Sequence, residues 1–530
     1  MRLNVLRVLI FSAILGVATP RAGEDGLAFE PVKGDANGTQ AALARREAEI
    51  REKTGKPEGE SLGHNWWLWG LANIDYDNDG DQDLIVGVHG PRHGIILKNQ
   101  FRETGKVAFT DVTKELGADG LVPSADWNAF VWDFDGDGFL DIAGMFNDAP
   151  TTALLNEGGK RFVKAPFHFH PVNKAPLITD LNGDGHPDVY FAYKTEVTFT
   201  YDPSGKNYKK VSQPHAPPAR LDPAVLKDME ELKSVKNGRF LAYLYESLDL
   251  DGDGLKDLAM GAFGSYGGPR RGWYLKGGQD GALTLAGKDL GLPPEGTPFF
   301  CHDLNGDGAV DILIASSPSG GLYLNDGKGH FALKPGPVTD FVKEKANYLQ
   351  RAFAVDFDND GDLDLVVSNR RGGAVRVFEN QGGGIFTDAL GARGWDADPV
   401  VIGDLNEDGK IDLAVGGPKY NEVTLYLNQT ARTGAWCKIV PRMPSPNPFA
   451  VDARVEIFKA GDLGKEGAKP VHTENAHPDG TPVHAGLGSS EAFDVRVTFP
   501  GAEKKVVEGK GLAANGAWKI TLDGKVEPAK

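Results

Sequence analysis

The sequence predicts an all-β protein: a seven-bladed β-propeller followed by a small all-β C-terminal domain. Three observations predict it. An aspartate-rich loop of nine residues recurs seven times along the chain. The copies start 58, 47, 69, 54, 53 and 48 residues apart, and a period of this size made of short strands marks a propeller or a solenoid array. Each period holds the same four strand-like runs, and from about Ala431 the loops stop.

The loops carry the chemistry. The first runs Asp75-Tyr-Asp77-Asn-Asp79-Gly80-Asp81-Gln-Asp83. Oxygen side chains fall at positions 1, 3, 5 and 9, and glycine stands at position 6 for the sharp turn. The position 7 carbonyl, here that of Asp81, is a further candidate ligand. The second copy has Asp133, Asp135, Asp137, Phe139 and Asp141 at these five positions; the third has Asp180, Asn182, Asp184, His186 and Asp188. The fourth has Asp249, Asp251, Asp253, Leu255 and Asp257; the fifth has Asp303, Asn305, Asp307, Ala309 and Asp311. The sixth has Asp356, Asp358, Asp360, Asp362 and Asp364; the seventh has Asp404, Asn406, Asp408, Lys410 and Asp412. One such loop is also what a plain Asp/Gly turn looks like. Seven in register point to a hard cation, and Ca2+ with its six to eight oxygen ligands fits best. The expectation is about seven Ca2+ sites. A helical calcium loop would need Glu at position 12. Here that position holds Val86, Gly144, Phe191, Met260, Ile314, Val367 and Val415, and a strand follows each loop.

Within a period the order is strand, loop, strand, strand, Gly-rich turn, strand. In the sixth, Ala352-Phe-Ala-Val enters the loop and Asp364-Leu-Val-Val-Ser leaves it. Ala374-Val-Arg-Val-Phe-Glu-Asn and Gly384-Ile-Phe-Thr-Asp complete the unit. The seventh unit lacks its last strand. The segment Leu27–Val32 supplies a match, with Phe29 three residues after Gly26 as Phe386 follows Gly383, and is expected to complete it. The propeller is then 26–430. Charged stretches near 40–53 and 222–234 read as helical insertions. His168 and His170 alternate along a strand, and packed or exposed histidines account for them better than a shared metal.

The net charge is −17, which argues against nucleic acid as a partner. Seven divalent ions would bring that figure to −3, so much of the acidity is ligand charge. Residues 1–22 read as a signal peptide: Arg2 and Arg7 precede an apolar run, Val8 to Val17, that is too short to span a bilayer. No later segment reads as a transmembrane helix. The protein is expected to be secreted, or periplasmic in a Gram-negative cell, and a monomer. Cys301 and Cys437 are the only cysteines, and two buried thiols are expected rather than a bridge.

Residues 431–530 carry strand-like runs, among them Trp436-Cys-Lys-Ile-Val, Phe493-Asp-Val-Arg-Val-Thr-Phe and Trp518-Lys-Ile-Thr-Leu. With the loops in hand, the repeats resemble the FG-GAP (VCBS) repeats of integrin-α-like propellers. The tail resembles the ASPIC/UnbV domain on Asp452-Ala-Arg-Val, His484-Ala-Gly-Leu-Gly, Val495-Arg-Val-Thr-Phe-Pro-Gly and Ala514-Asn515. Together they resemble the cartilage acidic protein family and its bacterial relatives, which implies a secreted protein. The chain departs from that pattern at Asn475 to Pro482, where the family has a Gly-rich segment.

No His-Glu-x-x-His, Gly-x-Ser-x-Gly or Gly-Lys-Ser/Thr motif is present. The acid pairs belong to the loops, and a carboxylate committed to a metal is a poor proton shuttle, so no catalytic residue is assigned. The expected function is a calcium-stabilised binding or adhesion module for an extracellular protein or glycan. The alternative is a polysaccharide-active enzyme, a lyase or hydrolase on a propeller. The candidate ligand-facing residues between the second and third strands are His89, Arg92 and His93, Arg270 and Arg271, and Arg370 and Arg371.

Overall fold

The computed structural model describes residues 26–32, 38–57, 68–88, 94–122, 129–144, 151–169, 177–179, 186–193, 195–202, 207–211, 224, 227, 240–253, 255, 257–264, 270–278, 283–315, 319–345, 349–369, 374–389, 399–416, 423–431, 433–501 and 503–529. The signal segment 1–22, most of the insertion near 222–234, and residues His89, Arg92, His93, Arg370 and Arg371 lie outside them.

The repeat region folds as an all-β propeller of antiparallel sheets. Five are four-stranded, and the strands of each follow the chain except in the last. Leu68–Ile74, Asp83–Val88, Ile95–Asn99 and Phe109–Asp111 make the first, and the loops join first strands to second. The stretch from Leu177 to Leu285 forms one sheet of eight strands, because Tyr193 pairs with Leu241 and joins two units. In the last sheet, Val400–Gly403, Asp412–Gly416 and Val423–Asn428 are completed by Phe29–Pro31 from the other end of the chain. Phe29 pairs with Asn428 and Pro31 with Tyr426.

Why second strands read as unbroken apolar runs follows from the packing. Each sheet is covered on both faces, so both alternating sets of side chains are buried. Leu84, Ile85 and Val86 are wholly buried. Leu84 and Val86 join Val401, Leu405 and Leu425 of the last unit, whereas Ile85 joins Val131, Ile142 and Leu154 of the second. The same alternation carries on around the ring. Leu413 and Val415 face Phe357 and Val366, and Leu365 and Val367 face Leu304 and Leu313. Ile312 and Ile314 face Leu250 and Tyr274. Burying each such side chain contributes about 1.5–3 kcal/mol.

Three helices are described, of which Phe101–Thr104 is a single turn and the other two pack on this body. Thr39–Thr54 covers the region expected to be helical and buries Ala42, Leu43 and Ile50. The helix Pro337–Lys345 was not anticipated from the sequence; it buries Val338, Phe341 and Val342 against the fifth and sixth units.

From Ala435 onward two four-stranded sheets face one another. Cys437, Ile439, Val483 and Ala485 of one meet Val455, Ile457, Val495 and Val497 of the other, a small β-sandwich. Cys301 and Cys437 are free thiols; Cys437 is buried as expected, whereas Cys301 is only half-buried. No described helix is long and apolar enough to cross a membrane.

Candidate metal centre

Each described loop is tied by one scheme of hydrogen bonds. In the second copy, Asp133 at position 1 accepts from the backbone N–H groups of Gly136 (2.7 Å), Asp137 (3.1 Å) and Gly138 (2.9 Å). Asp141 at position 9 accepts from the N–H of Phe134 (2.7 Å) and of Asn156 (2.6 Å). Position 6 needs glycine: Gly80, Gly138, Gly308, Gly361 and Gly409 have φ between 83° and 103°, where a Cβ is strained. The position 1 and 9 bonds recur at Asp303 and Asp311, at Asp356 and Asp364, and at Asp404 and Asp412.

This frame gathers carboxylates. Oxygens of Asp75, Asp77 and Asp83 lie within 4.8 Å of one another, as do those of Asp133, Asp135 and Asp141, of Asp249, Asp251 and Asp257, and of Asp356, Asp358 and Asp360. Asp79, Asp81 and Glu103 make a further group beside the first loop. The described acids of the fifth and seventh loops form no such triad. There position 3 is Asn, and its amide donates to position 5 instead: Asn305 to Asp307 (3.0 Å) and Asn406 to Asp408 (3.2 Å). Of the third copy only His186 to Asp188 are described; Asp180, Asn182 and Asp184 lie outside the described residues.

The electrostatics call for a cation. Burial pushes Asp75 up to about 7, reinforced by the negative charges of Asp79 and Asp77. Burial likewise lifts Asp133 and Asp311 to about 7 and Asp412 to about 8. Asp141 and Asp364 are held well above the usual carboxylate range for the same reason. Buried oxygens of Asp75, Asp77, Asp81 and Asp251 have no hydrogen-bond donor. An all-oxygen, anionic, partly donorless set suits a hard divalent ion.

Residues of two types from outside the nine-residue loops also meet the site. The first is an asparagine ending the third strand. Asn156 donates to the carbonyl of Tyr76 in the preceding loop (2.7 Å) and to Leu140 of its own (3.1 Å). Asn325 reaches Leu250 (2.9 Å), Asn380 reaches Leu304 (2.9 Å) and Asn428 reaches Phe357 (2.8 Å). Asn99 reaches Leu405 in the last loop (3.0 Å). Its recurrence at the end of the third strand, as Asn99, Asn156, Asn325, Asn380 and Asn428, was the available signal. Asn156→Ala should leave two buried carbonyls without donors and cost about 2–4 kcal/mol, to be read from chemical denaturation; a loss under about 0.5 kcal/mol would contradict this role.

The second type is lysine. Lys98 lies 2.5 Å from Asp77, 3.0 Å from Asp79 and 2.8 Å from Glu103. Lys276, at the same place in the fourth unit, pairs with Asp251.

The C-terminal sandwich sits on the loop face. Gly434 donates to the carbonyl of Asp358 (2.7 Å) and Gly488 to that of Asn359 (2.9 Å). A Cβ on Gly486 would overlap Asp356. His484 reaches the carbonyl of Gly409 (3.1 Å) and Lys438 bonds Asp404 (2.6 Å). On the other side Phe449 packs with Ile74 and Leu140, and Lys469 donates to the carbonyl of Asp307 (3.2 Å).

The FG-GAP-like repeat family matches residues 133–191, 303–367 and 356–415. Each match opens on the first aspartate of a loop and ends in the strand after the next one, so the chain carries FG-GAP-like repeats. No curated protein matches the chain. Among solved structures, a lectin of Agrocybe aegerita that recognises terminal N-acetylglucosamine is 20% identical over 62% of this chain and 82% of its own, with a TM-score of 0.39. A GH74 enzyme of Niastella koreensis is 12% identical over 88% of this chain and 70% of its own, with a TM-score of 0.36. Saccharomyces cerevisiae Sqt1 is 10% identical over 69% and 96%, with a TM-score of 0.38.

Proposed function

We propose that this is a secreted, calcium-stabilised propeller of seven blades that binds an extracellular protein or glycan. The eight-stranded sheet counts as two blades in this reading, Phe29–Pro31 completes the last blade, and the C-terminal sandwich is an ASPIC/UnbV-like domain. The observation that carries the calcium assignment is the set of buried aspartate oxygens without donors in loops whose carboxylates already converge. Asp75, Asp77 and Asp83, and the converging acids of the second, fourth and sixth loops, would hold the ion, which supplies positive charge to carboxylates that burial alone destabilises. A rigid disc of this kind supports recognition; the loop acids serve the metal, and no described residue is assigned a catalytic step. Because the C-terminal domain covers much of the loop face, the opposite face and the rim are the surfaces left for a partner.

The test is a glycan and protein array probed with the purified protein in calcium and again after chelation. Calcium-dependent retention of one ligand class supports the reading. Cleavage of an arrayed glycan would favour the polysaccharide-active alternative, and silence on both arrays would count against a recognition role.

A further inference from the structure

In the seventh loop a lysine of the C-terminal domain sits on the position 1 carboxylate, whereas Lys98 and Lys276 meet position 3 and 5 acids of the first and fourth loops. The Asp404 side chain is 2% exposed, and the Lys438 Nζ of the C-terminal sandwich lies 2.6 Å from its Oδ2. The same oxygen accepts the N–H of Gly409 (2.8 Å), and Oδ1 accepts that of Asp408 (3.0 Å). Lys438 is held in place from its own side: its ammonium stands 5.5 Å from the centre of the Trp436 ring. Trp436 in turn packs against Gly409 so closely that a Cβ there would overlap the indole. A second ammonium, that of Lys410 at position 7 of the loop, lies 3.6 Å from Asp408.

The charges around this loop therefore add up differently. Asp404, Asp408 and Asp412 face Lys410 and Lys438, a balance of one negative charge. The second loop brings Asp133, Asp135, Asp137 and Asp141, four negative charges, and its third strand ends Leu155-Asn156 with no lysine. A divalent ion bound through Asp404 would have to share its carboxylate with the half-buried ammonium, in surroundings where like charges repel strongly. Calcium affinity falls as the negative charge of the ligands is reduced, and here that charge is largely neutralised from within the protein.

We infer that Lys438 is the resident cation of the seventh loop, so that this loop takes no calcium while the C-terminal domain is docked. The inference rests on calcium filling the loops whose carboxylates converge. Docking and calcium then exclude one another at Asp404. Lys438 turns what reads in sequence as a metal site into the anchor that fastens the second domain to the ring.

Direct counting of bound calcium by equilibrium dialysis at saturating calcium decides it, using the full chain. K438M should bind one ion more than the wild type. D404N should bind the same number as the wild type, because the carboxylate it removes holds no ion. An unchanged count in K438M, or one ion fewer in D404N, would overturn the inference. D404N keeps the test open if K438M fails to fold, since the amide it introduces retains an oxygen for the backbone donors. Wild-type protein that binds no calcium at all would sink the calcium reading itself, and this inference with it. Calcium uptake by the wild type without the gain in K438M would sink this inference alone.

Discussion

Stripped of calcium, the protein should become more stable as the pH falls from about 8 towards 5, and calcium should reverse that slope. Asp75, Asp133 and Asp311 sit near 7 in the folded protein and Asp412 near 8, against about 3.9 in an unfolded chain. Between those values the folded state binds more protons than the unfolded one. Stability is then fully present below about pH 4 and is lost as the pH rises through 7 to 8. A bound cation favours the ionised carboxylates, so the loaded protein loses stability when protons displace the ion at low pH. At neutral pH each filled site adds about 2.7 kcal/mol at a hundredfold excess of calcium over its dissociation constant, so removing several ions should lower the melting temperature sharply. Melting curves at four pH values, with calcium and after chelation and desalting, measure both effects. Slopes of the same sign in the two series would refute the electrostatic account, and coincident melting temperatures would refute the metal.

Phe29→Ala should cost about 3–5 kcal/mol, as for other buried phenylalanines. Phe29 is 6% exposed and meets the Phe357 ring edge-on at 5.1 Å between centres. It lies in the cluster formed by Leu413 and Val415 of its own sheet and Val366 and Val377 of the sheet before. Its strand is fixed by backbone bonds on both flanks: Gln429 donates to Ala28 (2.7 Å) and Val32 to Leu425 (2.9 Å). Deleting the chain up to Val32 removes the whole strand and leaves the edge of Val423–Asn428 unpaired, a template for aggregation. Differential scanning calorimetry of the substitution, with light scattering of the truncation, checks both consequences. A truncated protein that melts with the full-length one would show that this strand does not close the ring.

Much of this was legible because it depends on spacing. A loop with oxygen side chains at alternate positions and a forced glycine can be recognised without knowing what surrounds it. Runs such as Leu84-Ile85-Val86 declare a strand covered on both faces. The links between units were silent for the opposite reason. Asn428 looks like any turn residue, and its amide partner, the carbonyl of Phe357, stands 71 residues earlier in the chain. Lys438 reads as the polar position of an amphipathic strand; that it meets Asp404 depends on how two domains dock, which no local pattern encodes. The Asn at position 3 of the fifth and seventh loops reads as one more oxygen ligand, yet in the fold its amide donates to the next carboxylate. The helix Pro337–Lys345 was missed because its few apolar residues sit beside charges in a short segment.

The asparagine links all point one way. Each crosses from a unit to the loop of the unit before it, and Asn99 of the first sheet reaches Leu405 of the last. The chain begins and ends its circuit inside one sheet, where Phe29–Pro31 meets Val423–Asn428, and not at a boundary between sheets. Mechanically, the circle has no seam. A pull on the N-terminus is borne first by a ladder of backbone bonds within the last sheet. The joins between sheets that such an amide fastens come under load only after that strand has peeled away.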